Sequence, residues 1–191
     1  MRDLTTDALL DAVRGWVAIE SPTNDAAGVN RVADHVEGLL RGIGATIERT
    51  PGRDGYGDIL IGRVPGEVNG PGLLLLGHMD TVHQCGTFAY RREGERAYGP
   101  GIYDMKGGNA MAVAALQHLH ATGRRPRLPV SVMMIPDEEV GSPSSRAAIE
   151  AEALRHRAAL VVEPSGEGGK FTVARHGIAR WHVRTIGRPA H

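Results

Sequence analysis

Apolar residues recur along this chain with two different periods, and the alternation between those periods predicts its architecture. Leu9, Val13, Trp16 and Val17 follow Thr5 and Thr6 at helical spacing, which predicts a capped first helix ended by Ser21-Pro22-Thr23-Asn24. Val29, Val32, Val36, Leu39 and Leu40 predict a second helix, stopped near Gly42 and Gly44. Residues 45–50 and 58–64 then read as strands around the turn-rich stretch from Pro51 to Gly55. Leu73-Leu74-Leu75-Leu76 is too short for a helix and is bounded by glycine, so it reads as a strand covered on both faces. Residues 107–122 predict a helix of small residues, 130–135 a buried strand, 144–155 a helix and 158–162 a third buried strand. Strands alternating with helices predict an α/β fold: three layers, with a mainly parallel sheet and helices on both faces.

The texture changes near residue 175. Phe171 to Ala174 and Ala179 to Ile186 alternate in the manner of antiparallel strands, so residues 1–175 are expected to form one domain and 176–191 to open another.

Composition narrows the function classes. The 22 basic residues balance 22 acidic ones, giving a net charge of +0 and no general surface for nucleic acid. The single cysteine, Cys85, excludes an internal disulfide framework and fits a reducing compartment. The first residues lack an apolar signal core, and no apolar run approaches membrane-spanning length. A soluble cytoplasmic protein with no membrane partner is the expectation.

The candidate chemistry lies where strands run out. His78 and Asp80 follow the four-leucine strand, Glu138 and Glu139 follow the next buried strand, and Glu163 follows the last. In open α/β sheets, ligands bind beyond the carboxyl ends of the strands, so these groups are expected to converge. One imidazole and several carboxylates suit zinc or a similar divalent ion. Asp80 reads as the group that orients His78, because a carboxylate on the second ring nitrogen fixes the tautomer of a metal-binding histidine. Asp104 sits in Tyr98-Gly99-Pro100-Gly101-Ile102-Tyr103-Asp104-Met105-Lys106-Gly107-Gly108, where flanking glycines permit close backbone approach. A phosphate-cradling loop fails on order, since its lysine must follow the last glycine; a carboxylate bridging two cations fits better. Adjacent carboxylates at 138 and 139 would raise each other's pKa without a cation. The economical division makes Glu139 a ligand and Glu138 a general base. His83 and Cys85 stay outside this carboxylate-rich set, and Trp16, Met133 and Met134 read as core.

Taken together, GHMDTVH, YGPGIYDMKGG, PDEEVGSPSSR, VVEPSG and GRPAH, in that order, resemble the M20 metallopeptidases, and within them the glutamate carboxypeptidase branch. The resemblance implies a zinc-exopeptidase-like catalytic domain followed by the first strands of an α+β lid and dimerisation domain. It implies two Zn2+ ions, with Co2+ or Mn2+ as substitutes: His78 and Glu163 on one, Glu139 on the other, and Asp104 bridging both. Asp80 would orient His78, Glu138 would take the proton of the attacking water, and His191 would reach a partner subunit's site to stabilise the oxyanion. The implied reaction is hydrolysis of an amide in a small peptide or N-acyl amino acid, by a homodimer, releasing a free C-terminal amino acid. The family's second zinc takes a further histidine far toward the C-terminus, so the 191 residues alone are expected to turn over little substrate. The alternatives are a truncated, inactive metal-binding fragment, or a deacylase resembling acetylornithine deacetylase or succinyl-diaminopimelate desuccinylase.

Overall fold

The structure, a computed structural model, describes residues 4–174, 176–179 and 181–188. Four helices form where the apolar periodicity places them: α1 (Thr6–Val17), α2 (Ala26–Arg41), α3 (Gly107–Ala121) and α4 (Arg146–Ala153). Thr5 caps α1, its hydroxyl accepting from the Ala8 amide, and Asp25 caps α2 by accepting from Gly28. Strands β1 (Thr46–Thr50), β2 (Ile59–Val64) and β3 (Leu73–His78) precede a small hairpin of β4 (Arg91–Glu93) and β5 (Arg96–Tyr98). Strands β6 (Val130–Ile135) and β7 (Ala158–Val161) complete the main sheet, ordered β1-β2-β6-β3-β7.

The expected three-layer α/β architecture is present, with one refinement. The sheet is mixed: β3 pairs in parallel with β6 and β7, while β1–β2 and β2–β6 are antiparallel. The short connection between β1 and β2 enforces a hairpin, and parallel pairing begins only where helices provide crossovers.

Alternation along each strand divides the core. Leu60, Val64, Val130, Val132 and Met134 face α1, α2 and α3, whereas Ile59, Ile61, Leu74, Met133 and Ile135 face α4. Trp16 of α1 is 1% exposed. An aromatic side chain of that size removes about 150–250 Å2 from water, worth roughly 4–6 kcal/mol at ~25 cal/mol/Å2. On the opposite face Arg63 of β2 forms a two-pronged ion pair with the buried Glu152 of α4.

Two strand expectations change. β7 forms, but it is not buried: it lies at a sheet edge, with Leu160 51% and Val161 55% exposed. The alternating residues from 171 to 186 form no strand among those described, and Phe171, Val173, Trp181 and Val183 are exposed. Strand patterning becomes a strand only when backbone groups find a partner, and no described segment pairs with this one. His191 lies outside the described residues. No helix among the described residues is long and apolar enough to cross a membrane.

Candidate metal centre

β3 and β6 run side by side and end in register, His78 opposite Ile135, so the loops that follow them leave the sheet together. Glycine permits the next layer. A methyl group at Gly77 would lie 2.0 Å from Asn109 Oδ1 on α3, and the Asn109 amide donates to the His78 carbonyl at 2.8 Å. A methyl group at Gly108 would lie 1.9 Å from the Val162 carbonyl oxygen, so only glycine lets α3 approach the chain that carries Glu163.

His78 is 1% exposed. Its Nδ1 lies 2.9 Å from the Asp80 main-chain carbonyl and 3.4 Å from the Asp80 carboxylate. Its Nε2 lies 2.9 Å from Asp104 Oδ1 and 3.4 Å from Glu163 Oε1. One potential ligand group is His78, Asp104 and Glu139; a second is His78, Glu138 and Glu163. Within each, the donor atoms lie within 4.8 Å of one another. All five residues expected to contact metal or the attacking water therefore converge, with His78 common to both groups. His83 and Cys85 belong to neither.

Asp80 is also buried, and its carboxylate is heavily used. Oδ1 accepts from the Glu138 amide at 3.1 Å; Oδ2 accepts from the Glu139 amide at 3.2 Å and from the Thr23 hydroxyl at 2.7 Å. One carboxylate thus joins the His78 loop to the glutamate loop. Asp137, fully buried, fixes the far side of the glutamate loop by accepting from the Ser144 and Ser145 amides and the Ser145 hydroxyl. Sequence reasoning passed over both Thr23 and Asp137. Thr23 reads as a helix terminator, and Asp137 stands beside a more conspicuous glutamate pair. A carboxylate and a hydroxyl bounding buried segments were the available signals.

The electrostatics fit a cation. Asp104, Glu138, Glu139 and Glu163 gather around one imidazole, and among the described residues no lysine or arginine pairs with any of them. Burial opposes charge on His78, but the Asp80 and Glu163 carboxylates outweigh it and push its pKa up to about 11. Burial, reinforced by Asp104, pushes Glu139 up to about 7, and burial raises Glu138. Burial alone would raise Asp80, yet its hydrogen bonds from His78 and Thr23 hold it below the usual carboxylate range.

These shifts set a pH dependence. Glu139 titrates near 7 when folded against 4.5 ordinarily, so its contribution is complete below 4.5 and is lost as pH rises through 7. The His78 contribution is complete below 6.5 and is lost as pH rises through 11. Metal-free protein is therefore expected to melt at a lower temperature at pH 8 than at pH 5.5. Zinc affinity should move the other way, because binding releases protons. Thermal melts in chelator with zinc titrations at both pH values check this; a melting temperature that climbs with pH would contradict it.

Residues 74–184 match the sequence profile of Peptidase family M20/M25/M40. Over 189 residues the chain is 36% identical to carboxypeptidase G2 of Pseudomonas sp. (strain RS-16), covering 96% of this chain and 45% of the relative. It is 38% identical over 146 residues to succinyl-diaminopimelate desuccinylase of Rhodopseudomonas palustris (strain BisA53), covering 71% of this chain and 36% of that one. The chain thus spans less than half the length of either relative. Among solved structures, human carnosine dipeptidase 1 superposes with a TM-score of 0.74 at 15% identity. That match covers 84% of this chain and 39% of the human one, and at that identity it is a likeness of fold.

Proposed function

This chain belongs to peptidase family M20/M25/M40, and on that premise we propose that it carries the metal-binding half of a two-zinc amidohydrolase. The observation that carries the reading is the convergence of one imidazole and four carboxylates beyond the carboxyl ends of β3, β6 and β7, with no lysine or arginine among the described residues paired to the carboxylates. His78 and Glu163 would hold one ion and Glu139 the other, with Asp104 placed to serve both. Two protein ligands for the second ion are fewer than the three usual at catalytic zinc, so a further donor completes it. Bound there, the ions would polarise the scissile carbonyl and acidify water.

The protein groups do the rest. Asp80 holds the His78 ring through its main-chain carbonyl on Nδ1, with its carboxylate 3.4 Å from the same nitrogen, and that carboxylate holds the main chain of Glu138 and Glu139. Glu138 takes the proton of the attacking water and returns it to the leaving amine. Its burial lifts its pKa toward the range in which a carboxylate can do both. The substrate is a small peptide or N-acyl amino acid, cleaved to release a free C-terminal amino acid. By the family resemblance, the residues from 176 onward would open a lid domain through which the complete protein dimerises.

The test is hydrolysis of a peptide ending in glutamate, alongside an N-succinylated diamino acid, by the complete polypeptide that the gene encodes. Amine release that stops with chelator and returns with zinc is expected. Hydrolysis indifferent to chelator, or protein that binds no zinc, would sink the proposal. Faster turnover of the N-succinyl substrate would shift the reading toward the deacylases, the class named for the R. palustris relative.

A further inference from the structure

The chain between α1 and α2 contacts two of the loops that bear the candidate ligands, and through Asp80 it reaches a third. Ser21 to Thr23 runs parallel to Met79 to Thr81, with a bridge between Pro22 and Thr81. The Thr81 amide donates to the Ser21 carbonyl at 2.9 Å, and the Thr23 amide to the Thr81 carbonyl at 3.3 Å. The Ser21 hydroxyl donates to the Met79 carbonyl at 2.7 Å, and the Thr23 hydroxyl to Asp80 Oδ2 at 2.7 Å. Lys106, two residues beyond Asp104 and 1% exposed, sends its ammonium to the Ile19 carbonyl at 2.5 Å. Ser21 and Thr23 are buried with it. Hydrogen bonds from the Ser21, Thr23 and Lys106 side chains therefore bind residues 19–23 to the His78 loop and the Asp104 loop, and the Asp80 carboxylate extends the link to Glu138 and Glu139.

We infer that residues 19–23 form a strap that sets the spacing of the metal centre, and that Thr23 is its positioning residue. Asp80 Oδ2 has two donors, the Thr23 hydroxyl and the Glu139 amide. An oxygen held from both sides cannot rotate, so the carboxylate keeps its other oxygen on the Glu138 amide and near His78 Nδ1. Without the hydroxyl, the carboxylate keeps only the Glu138 and Glu139 amides, both on the glutamate loop, so it is no longer anchored to residues 19–23 and can shift with that loop relative to the imidazole. Buried outer partners of this kind typically govern metal affinity or activity by ~10–100-fold. This role rests on the metal centre proposed above.

The test compares Thr23→Val, which keeps the shape and removes the donor, with Thr23→Ser, which keeps the donor. Zinc titration of the valine variant is expected to show affinity reduced by ~10–100-fold, and the serine variant should recover to within a few-fold of the parent. In metal-free protein, amide exchange at Glu138 and Glu139 should accelerate in Thr23→Val and stay slow in Thr23→Ser. If the valine variant does not fold, Thr23→Ala carries the same comparison. Parental zinc affinity and unchanged exchange in a folded variant lacking the hydroxyl would overturn the assignment. A parent chain that bound no zinc would count against the metal centre, while metal-free exchange would still decide the role of Thr23.

Discussion

With His78 replaced by alanine, zinc binding is expected to fall by more than the ~10–100-fold typical of losing an outer partner of a metal ligand. The imidazole is the only nitrogen donor in the set, and it belongs to both ligand groups. Its removal leaves carboxylates alone, a donor set better suited to magnesium, calcium or manganese than to zinc. It also removes the positive partner of Asp104 and Glu163 and one of the partners of buried Asp80. The metal-free variant should therefore stay folded but melt at a lower temperature than the parent at pH 6, where the parental imidazole is charged. Calorimetric zinc titration with a thermal melt measures both. Zinc bound as tightly as by the parent would remove His78 from the ligand set.

The second large effect belongs to Glu138. Glu138→Gln preserves volume but cannot accept a proton, so turnover by the complete polypeptide should drop on the order of 10^2–10^4-fold, the usual contribution of a general base. Bound zinc should be unchanged. Glu139→Gln should instead lose metal, and activity with it. The contrast matters because the two glutamates are adjacent and both approach His78, one beside Glu163 and the other beside Asp104. Zinc lost from the Glu138 variant and retained by the Glu139 variant would exchange their roles.

Much of this arrangement is legible in the sequence, for physical reasons that differ by element. The leucine run of β3 and the apolar run of β6 announce buried strands because both sheet faces are covered there. Carboxylates directly after such strands stand out, since a charge at the end of a buried strand is costly unless paired. β7 misleads because its composition matches that of a buried strand, while its exposure depends on which element lies beside it. The β4–β5 hairpin leaves no apolar signal, Arg91-Arg92-Glu93 being wholly exposed. Thr23 offers only a weak local signal, a hydroxyl at the end of a helical segment, because its partner is 57 residues away. Alternation at 171–186 records a capacity to pair, which the described residues leave unused.

The register between β3 and β6 has a further consequence for how such a site diverges. Adjacent strands in a sheet are held about 4.8 Å apart by their backbone hydrogen bonds. Because His78 stands opposite Ile135 at the strand ends, the sheet itself acts as a gauge for the distance between the imidazole and the glutamate loop. Backbone spacing is indifferent to side-chain identity. The outer segments, such as the exposed stretch around Cys85 or the turn at Gly94, can thus lengthen, shorten and change composition to suit new substrates while the interval between the reactive groups is inherited unchanged.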